Sequence, residues 1–368
     1  MLTNISFEPR WVSAPGETIR TALQRRLWSV EDLADRLNLP DPEVRRIVVG
    51  ERAISADLAG QLAAALGGSR DFWLTREQRY RDGLHALRLD DIFQRMPLDQ
   101  MVDFGWIDAP GRDWRDRVAA CSAFFDVVDA EDWNTRYGAA VEQAKYRASE
   151  TFESDEAAVA AWLRQAEIQA EALPVQTWDR AKVRGAIPAL RALSRQPDPE
   201  RFIPELQSLL GAAGVAAVIV RAPKGCPISG AAFRTRSGGS AVVLSVRHLA
   251  DDHFWFSLFH ELGHLLLHDV REPVIDDLDG PSEGSSEHEA NEFAAHALAS
   301  GVVAALSNDR SGNPTMRAVI AAASQAGIAA GIIVGQLQHA GVIGHHQLNR
   351  LKRRYRWDGV TLRTSRRR

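Results

Sequence analysis

The sequence predicts an α+β chain, predominantly helical, in three parts: an N-terminal helix-turn-helix bundle over residues 1–82, a helical connector over 83–200, and a C-terminal domain over 201–368 with a small β-sheet. Three observations predict this. Short helix-period runs fill the first eighty residues, punctuated by Pro40, Gly50 and the pair Gly67-Gly68. An Ala- and Trp-rich amphipathic stretch follows, broken at Pro97, Pro110, Pro174 and Pro197. Past Pro204, the continuous apolar run VAAVIV (Val215–Val220) marks a buried strand, with two more strands and long helices after it.

Composition sets the class. The chain has 368 residues, 45% hydrophobic and 25% charged, as in ordinary globular proteins. A net charge of −4 provides no global field toward nucleic acid or anionic lipid. Two cysteines, Cys121 and Cys226, lie far apart and form no CxxC pair, so neither a disulfide framework nor a Cys-rich zinc site is expected. The start, MLTNISFEPRWVSAPGE, lacks a basic region followed by an apolar stretch, and no apolar run reaches membrane-spanning length. The expectation is a cytoplasmic protein without a membrane partner.

In the first part, helices are predicted over Arg20–Leu27, Val30–Leu37, Pro42–Val48, Ser55–Leu66 and Arg70–Tyr80. The second and third have helix-turn-helix spacing, with Leu33, Ala34 and Leu37 packing against Val44 and Ile47, and Gly50 closing the unit. The third helix would present Glu43, Arg45 and Arg46 to a DNA major groove. From Gly16 to Arg70, however, eight basic residues are balanced by eight acidic ones, which weakens attraction for phosphate. Double-stranded DNA bound by a dimer is the first reading, and protein docking or dimerisation the second. In the connector, the Trp residues read as core anchors rather than a ligand cage.

In the last part, Ala231–Arg234 and Ala241–Val246 read as strands joined by a turn at Gly238-Gly239. Asp251-Asp252 can cap a helix over about His253–His268 that is apolar nearly all round, so its polar members need partners. Among them are His260-Glu261-Leu262-Gly263-His264. Two imidazoles four residues apart on a helix point the same way and can reach one metal ion, with Glu261 placed to take a proton from an attacking water. That is the arrangement of a zinc peptidase, although two His and a carboxylate also suit manganese.

A catalytic site of this kind takes three protein ligands. A third His six residues after His264 is ruled out, because that position is Val270. A carboxylate on the next helix, about Ser285–Ser300, is the alternative. Glu287 is favoured because Asn291 then lies one turn on, on the same face, able to hydrogen-bond a liganding His, and Glu289 is the second choice. Arg247 and His248 are candidate oxyanion donors. Gly263 permits a close helix approach. His268, eight residues from His260, reads as a structural or helix-terminal histidine. The acidic loop 269–286 reads as a solvated loop before a substrate-selecting rim, and the hairpin around Ile228–Val246 as an edge for an extended peptide. The end, TLRTSRRR, reads as a frayed basic tail.

FWFSLFHELGHLLLH followed by EHEANEFAAHAL resembles the ImmA/IrrE family of zinc metallopeptidases, as do Ile228-Ser229-Gly230-Ala231, Leu244-Ser245-Val246-Arg247 and GIIVGQLQHAGVI. PGETIRTALQRR, LADRL, GERAIS and DFWL resemble the XRE-type helix-turn-helix of HigA-like antitoxins. Together the resemblance spans about 15–80 and 200–360. It implies a gluzincin-like domain, with zinc on His260, His264 and Glu287 and Glu261 as the catalytic base. It also implies a protein substrate, a helix-turn-helix repressor or antitoxin whose cleavage derepresses genes. After Ala295 the chain reads HALASG where many members continue LLMP. The competing expectation is a DNA-binding regulator or antitoxin whose metal domain only senses or dimerises. An intact Glu261 speaks against that, since a structural metal site has no use for a general base.

Overall fold

Ser29 starts its helix with a reciprocal cap: its hydroxyl accepts from the Asp32 N–H at 3.1 Å, and the Asp32 carboxylate accepts from the Ser29 N–H at 2.7 Å. The helix it starts, α2 (Val30–Leu37), is the second of five, after α1 (Pro15–Arg26) and before α3 (Asp41–Val48), α4 (Ala56–Leu66) and α5 (Arg70–Phe93). Asn38 in the left-handed region (φ 52°) turns the chain between α2 and α3, and Gly50 (φ 83°) ends the pair. Leu33, Leu37, Val44 and Ile47 are buried with Ile19 and Trp73 in one core. Taking each such aliphatic side chain out of water contributes about 1.5–3 kcal/mol.

The computed structural model describes residues 10–138, 142, 155–235, 238–268, 274–276, 285–308 and 314–365. The chain divides into two compact units, Met1–Arg95 with Pro110–Trp133, and Met96–Ala109 with Asn134–Arg368. The boundary at residue 82 falls inside α5, because a lone Gly83 costs an otherwise good helix only about 1 kcal/mol. The stretch 83–200 is shared between the units: α6 (Leu98–Asp103) belongs to the second, while α7 (Trp114–Phe125) and α8 (Ala130–Trp133) belong to the first.

In the second unit, α9 (Glu156–Ala172), α10 (Arg180–Leu193) and α11 (Pro199–Gly211) precede β1 (Val215–Ile219), β2 (Gly230–Arg234) and β3 (Ser240–Leu244). The helix α12 (Asp251–Leu267) follows, then β4 (Val274–Asp276), α13 (Ser285–Ser307), α14 (Met316–Ala326) and α15 (Ala330–His339). The strand order is β1-β3-β2-β4, with β1 parallel to β3 and the other pairs antiparallel. Strand residues alternate between two cores. Val215, Ala217, Val242 and Leu244 face the α12 side, while Ala216, Val218, Ala231 and Val243 face Trp162 and Ala166 of α9. Burial on both faces is why these strands read as unbroken apolar runs. Trp162 is a core anchor, its Nε1 donating to the Val220 carbonyl at 3.0 Å.

Two details differ from the sequence reading. β4 pairs with β2 along Gly230–Ala232, so those backbone groups are not open to a peptide. Part of the expected frayed tail is a strand: β5 (Tyr355–Asp358) and β6 (Thr361–Thr364) form a hairpin in which Tyr355 and Leu362 are buried, and residues 366–368 lie outside the described residues. Arg363 pairs there with Glu200 and Asp358, so its charge is used in the fold. Of the acidic loop, Asp276 is the last residue of β4, and the other acids from Asp269 to Glu283 lie outside the described residues.

The start of α12 is fixed by its two acids, although neither caps it; the N-cap is Ala250. Asp251 Oδ1 accepts from the Arg353 N–H at 2.9 Å, and Asp252 meets Lys352 Nζ at 2.5 Å. Gly331 and Gly335, one turn apart on α15, admit these carboxylates. A β-carbon there would stand 2.5 Å from Asp251 Oδ1 or 2.7 Å from Asp252 Oδ2. Burial, reinforced by Asp252, pushes the Asp251 carboxyl up to about 7. The α13 helix is interrupted at Ala299 (φ −156°, ψ 21°), within the HALASG stretch.

Candidate metal centre

The side chains of His260, Glu261 and His264 all come from α12 and are each 1% exposed. Four-residue spacing turns both imidazoles to one side, with their Nε2 atoms 3.1 Å apart. Glu287, in the first turn of α13, brings Oε2 to 3.4 Å from His260 Nε2 and 3.6 Å from His264 Nε2. A tetrahedral zinc with ligands at about 2.0–2.1 Å needs ligand atoms about 3.3 Å from one another. The triangle has that size, and among the described residues these three form the group able to hold a metal ion. The donor set of two imidazoles and one carboxylate fits zinc, and manganese as well.

Asn291, one turn beyond Glu287, places Oδ1 2.9 Å from His260 Nδ1. An amide oxygen can only accept, so the proton sits on Nδ1 and the Nε2 lone pair is directed at His264 Nε2 and Glu287 Oε2. Gly263 permits the helix approach behind this arrangement: a β-carbon there would lie 3.2 Å from Ala290 Cα. Glu289, the second-choice ligand, is half exposed and lies 3.3 Å from His268 instead.

Sequence reasoning missed the part played by Gly230. A β-carbon on this residue of β2 would stand 2.2 Å from Glu261 Oε1, so the strand passes directly against the carboxylate. A glycine inside a strand is a signal of such an approach. Arg247 and His248, the candidate oxyanion donors, line a small pocket with Ser229, His253 and Ser257. Arg247 donates to the Pro227 carbonyl and to His248 Nε2, and His248 stacks on His253.

On α3 of the other unit, Arg45 and Arg46 are more than half exposed. Both are engaged by acids: Arg45 by Glu31 and by Asp41 at 3.0 Å, Arg46 by Glu43 at 3.4 Å and Glu51 at 3.8 Å. Glu43 also holds Arg52 at 2.7 Å. The balanced charge count therefore takes the form of a ladder of ion pairs over the exposed face. No single helix among the described residues is long and apolar enough to cross a membrane.

Two stretches of the chain match models of known families. Residues 218–300, which carry β2, β3, α12, β4 and most of α13, match the family model for the IrrE N-terminal-like domain, a peptidase family. Residues 19–73 match a helix-turn-helix family model. No curated protein matches the chain. The chain thus carries, in this order, a stretch similar to helix-turn-helix domains and a stretch similar to the IrrE N-terminal-like domain.

Proposed function

We propose that this protein is a zinc-dependent endopeptidase that cleaves a protein partner to control transcription. The observation that carries it is the triangle of His260 Nε2, His264 Nε2 and Glu287 Oε2, with edges of 3.1, 3.4 and 3.6 Å, on the helix that also carries Glu261. Zinc held there, or manganese in its place, would supply a Lewis acid that polarises a scissile carbonyl and acidifies water. Glu261 takes the proton of the attacking water on its carboxylate and passes it to the leaving amine. Asn291 keeps His260 in the binding tautomer, and Gly230 leaves room for the Glu261 carboxylate.

The substrate is a helix-turn-helix repressor or antitoxin in the cytoplasm. The chain's own helix-turn-helix holds it at the target operator as a homodimer, through Arg45, Arg46 and Glu43. What supports this part is the helix-turn-helix match and the exposure of Arg45 and Arg46 on α3. The competing reading, a regulator whose metal domain is only sensory, leaves Glu261 without a task.

Incubating zinc-loaded wild type and Glu261→Gln with helix-turn-helix proteins encoded beside this chain's gene tests the proposal. Wild type is expected to cleave one of them and Glu261→Gln is not. Cleavage by both, or by neither, removes the catalytic assignment.

A further inference from the structure

We infer that His268 and Glu289 form a positioning relay that fixes which nitrogen of His264 is turned to the metal; the relay rests on the metal reading above and concerns residues that the reading does not use.

The helix α12 ends at Leu267, and His268 follows as its C-cap in an extended conformation (φ −114°, ψ 159°). Its N–H still donates to the His264 carbonyl at 3.0 Å, which keeps it over the last turn. Its ring lies beside that of His264, with the two Nδ1 atoms 3.2 Å apart and the side chain 21% exposed. On its far side, His268 Nε2 is 3.3 Å from Glu289 Oε2, two residues after Glu287 on α13. A histidine held only by the helix dipole would need neither neighbour.

The proton positions follow from what each group can do. An ionised carboxylate accepts and never donates, so His268 Nε2 carries a proton toward Glu289. In the neutral ring, Nδ1 is then bare and can only accept. Its neighbour at 3.2 Å, His264 Nδ1, must therefore be the donor. That leaves His264 Nε2 with its lone pair directed at His260 Nε2 and Glu287 Oε2. The opposite assignment would face a bare His268 Nε2 against a carboxylate, two acceptors with no proton between them. Asn291 settles His260 in the same sense by one step, and the His268–Glu289 pair settles His264 by two. Asn291 and Glu289 both come from α13, the helix that brings Glu287, so one helix supplies a ligand and, with His268 at the end of α12, orients the other two.

The test is the zinc affinity of the full chain, measured by chelator competition, in wild type, His268→Phe, Glu289→Ala, Glu289→Gln and the control Glu292→Ala. Glu289 and Glu292 are more than half exposed, so their replacement does not threaten folding. Loss of an outer partner of a liganding His weakens metal binding about 10–100-fold, and that loss is expected for His268→Phe and Glu289→Ala. Glu289→Gln keeps an oxygen that can accept from Nε2–H and should fall between Glu289→Ala and wild type, while Glu292→Ala should match wild type. Melting of the metal-free variants should be unchanged, which a merely structural role would not allow. Relay variants that bind zinc as tightly as wild type, or lose it only in step with a lower metal-free melting temperature, overturn the relay alone. A wild type that takes up no zinc removes the metal reading and the relay with it.

Discussion

Gly230 on β2 lies so close to Glu261 on α12 that a single added methyl group would stand 2.2 Å from the carboxylate oxygen. Neither atom can occupy that position without movement, so Gly230→Ala must displace either the strand or the acid. A misplacement of about 1 Å in a reacting group can cost on the order of 100-fold in rate, and peptide hydrolysis by Gly230→Ala should fall by about 10–100-fold. Zinc content should stay at the wild-type level, because the three atoms nearest the added methyl all belong to Glu261. Steady-state cleavage assays paired with metal analysis check both halves; wild-type turnover would refute the close approach.

Asn291→Leu removes the oxygen that His260 Nδ1 faces at 2.9 Å. Zinc affinity should drop about 10–100-fold, and Asn291→Asp, which restores an acceptor, should recover most of it. Chelator competition measures both. Equal affinity in Asn291→Leu and wild type would show that the amide does no orienting.

Much of this site is legible in the chain because its parts are local. His260, Glu261 and His264 sit within one and a half helical turns, and Glu287 and Asn291 share one face of the next helix, so spacing alone places each group. Gly230 is different: it meets Glu261 only after β2 is laid on α12, and a glycine followed by two alanines carries no sign of that partner. His268 is misplaced when its phase is measured from His260, eight residues away, rather than from His264, which it touches. The β5–β6 hairpin is hidden because Arg356, Asp358 and Arg363 interrupt its apolar residues, and their charges find partners only in the fold. Likewise, the charge balance of the helix-turn-helix is countable from sequence, but the pairing of Arg45 with both Glu31 and Asp41 is not.

Stability should fall as pH rises toward neutrality. The folded carboxyl of Asp251 is raised to about 7 from 3.8, so the folded state binds the proton more tightly than the unfolded chain does. Its contribution is complete below the unfolded value and is lost as pH climbs through about 7. At about 1.4 kcal/mol per pKa unit, the loss is up to about 4 kcal/mol. Urea unfolding midpoints between about pH 4.5 and 8 should decline in wild type and stay flatter in Asp251→Asn. Parallel slopes in the two proteins would exclude Asp251 as the source.

DNA binding by the helix-turn-helix should be weak and open to improvement by removing acids. Arg45→Ala with Arg46→Ala should reduce the salt slope of operator binding by up to about 2, one for each phosphate that is no longer neutralised. Glu31→Gln with Asp41→Asn should act in the other direction, because Arg45 no longer has to leave its acidic partners. Fluorescence anisotropy across a salt series measures both. Binding that is indifferent to all four substitutions would point away from α3 as the DNA-contacting helix.

Zinc content and coordination of the purified protein test the central claim most directly. X-ray absorption at the zinc edge, on protein reconstituted with one equivalent of metal, should give two imidazole nitrogens and a carboxylate oxygen at about 2.0–2.2 Å. That signature should disappear in His260→Ala and in Glu287→Ala. Zinc that does not bind, or binds with the same coordination after either substitution, would contradict the account.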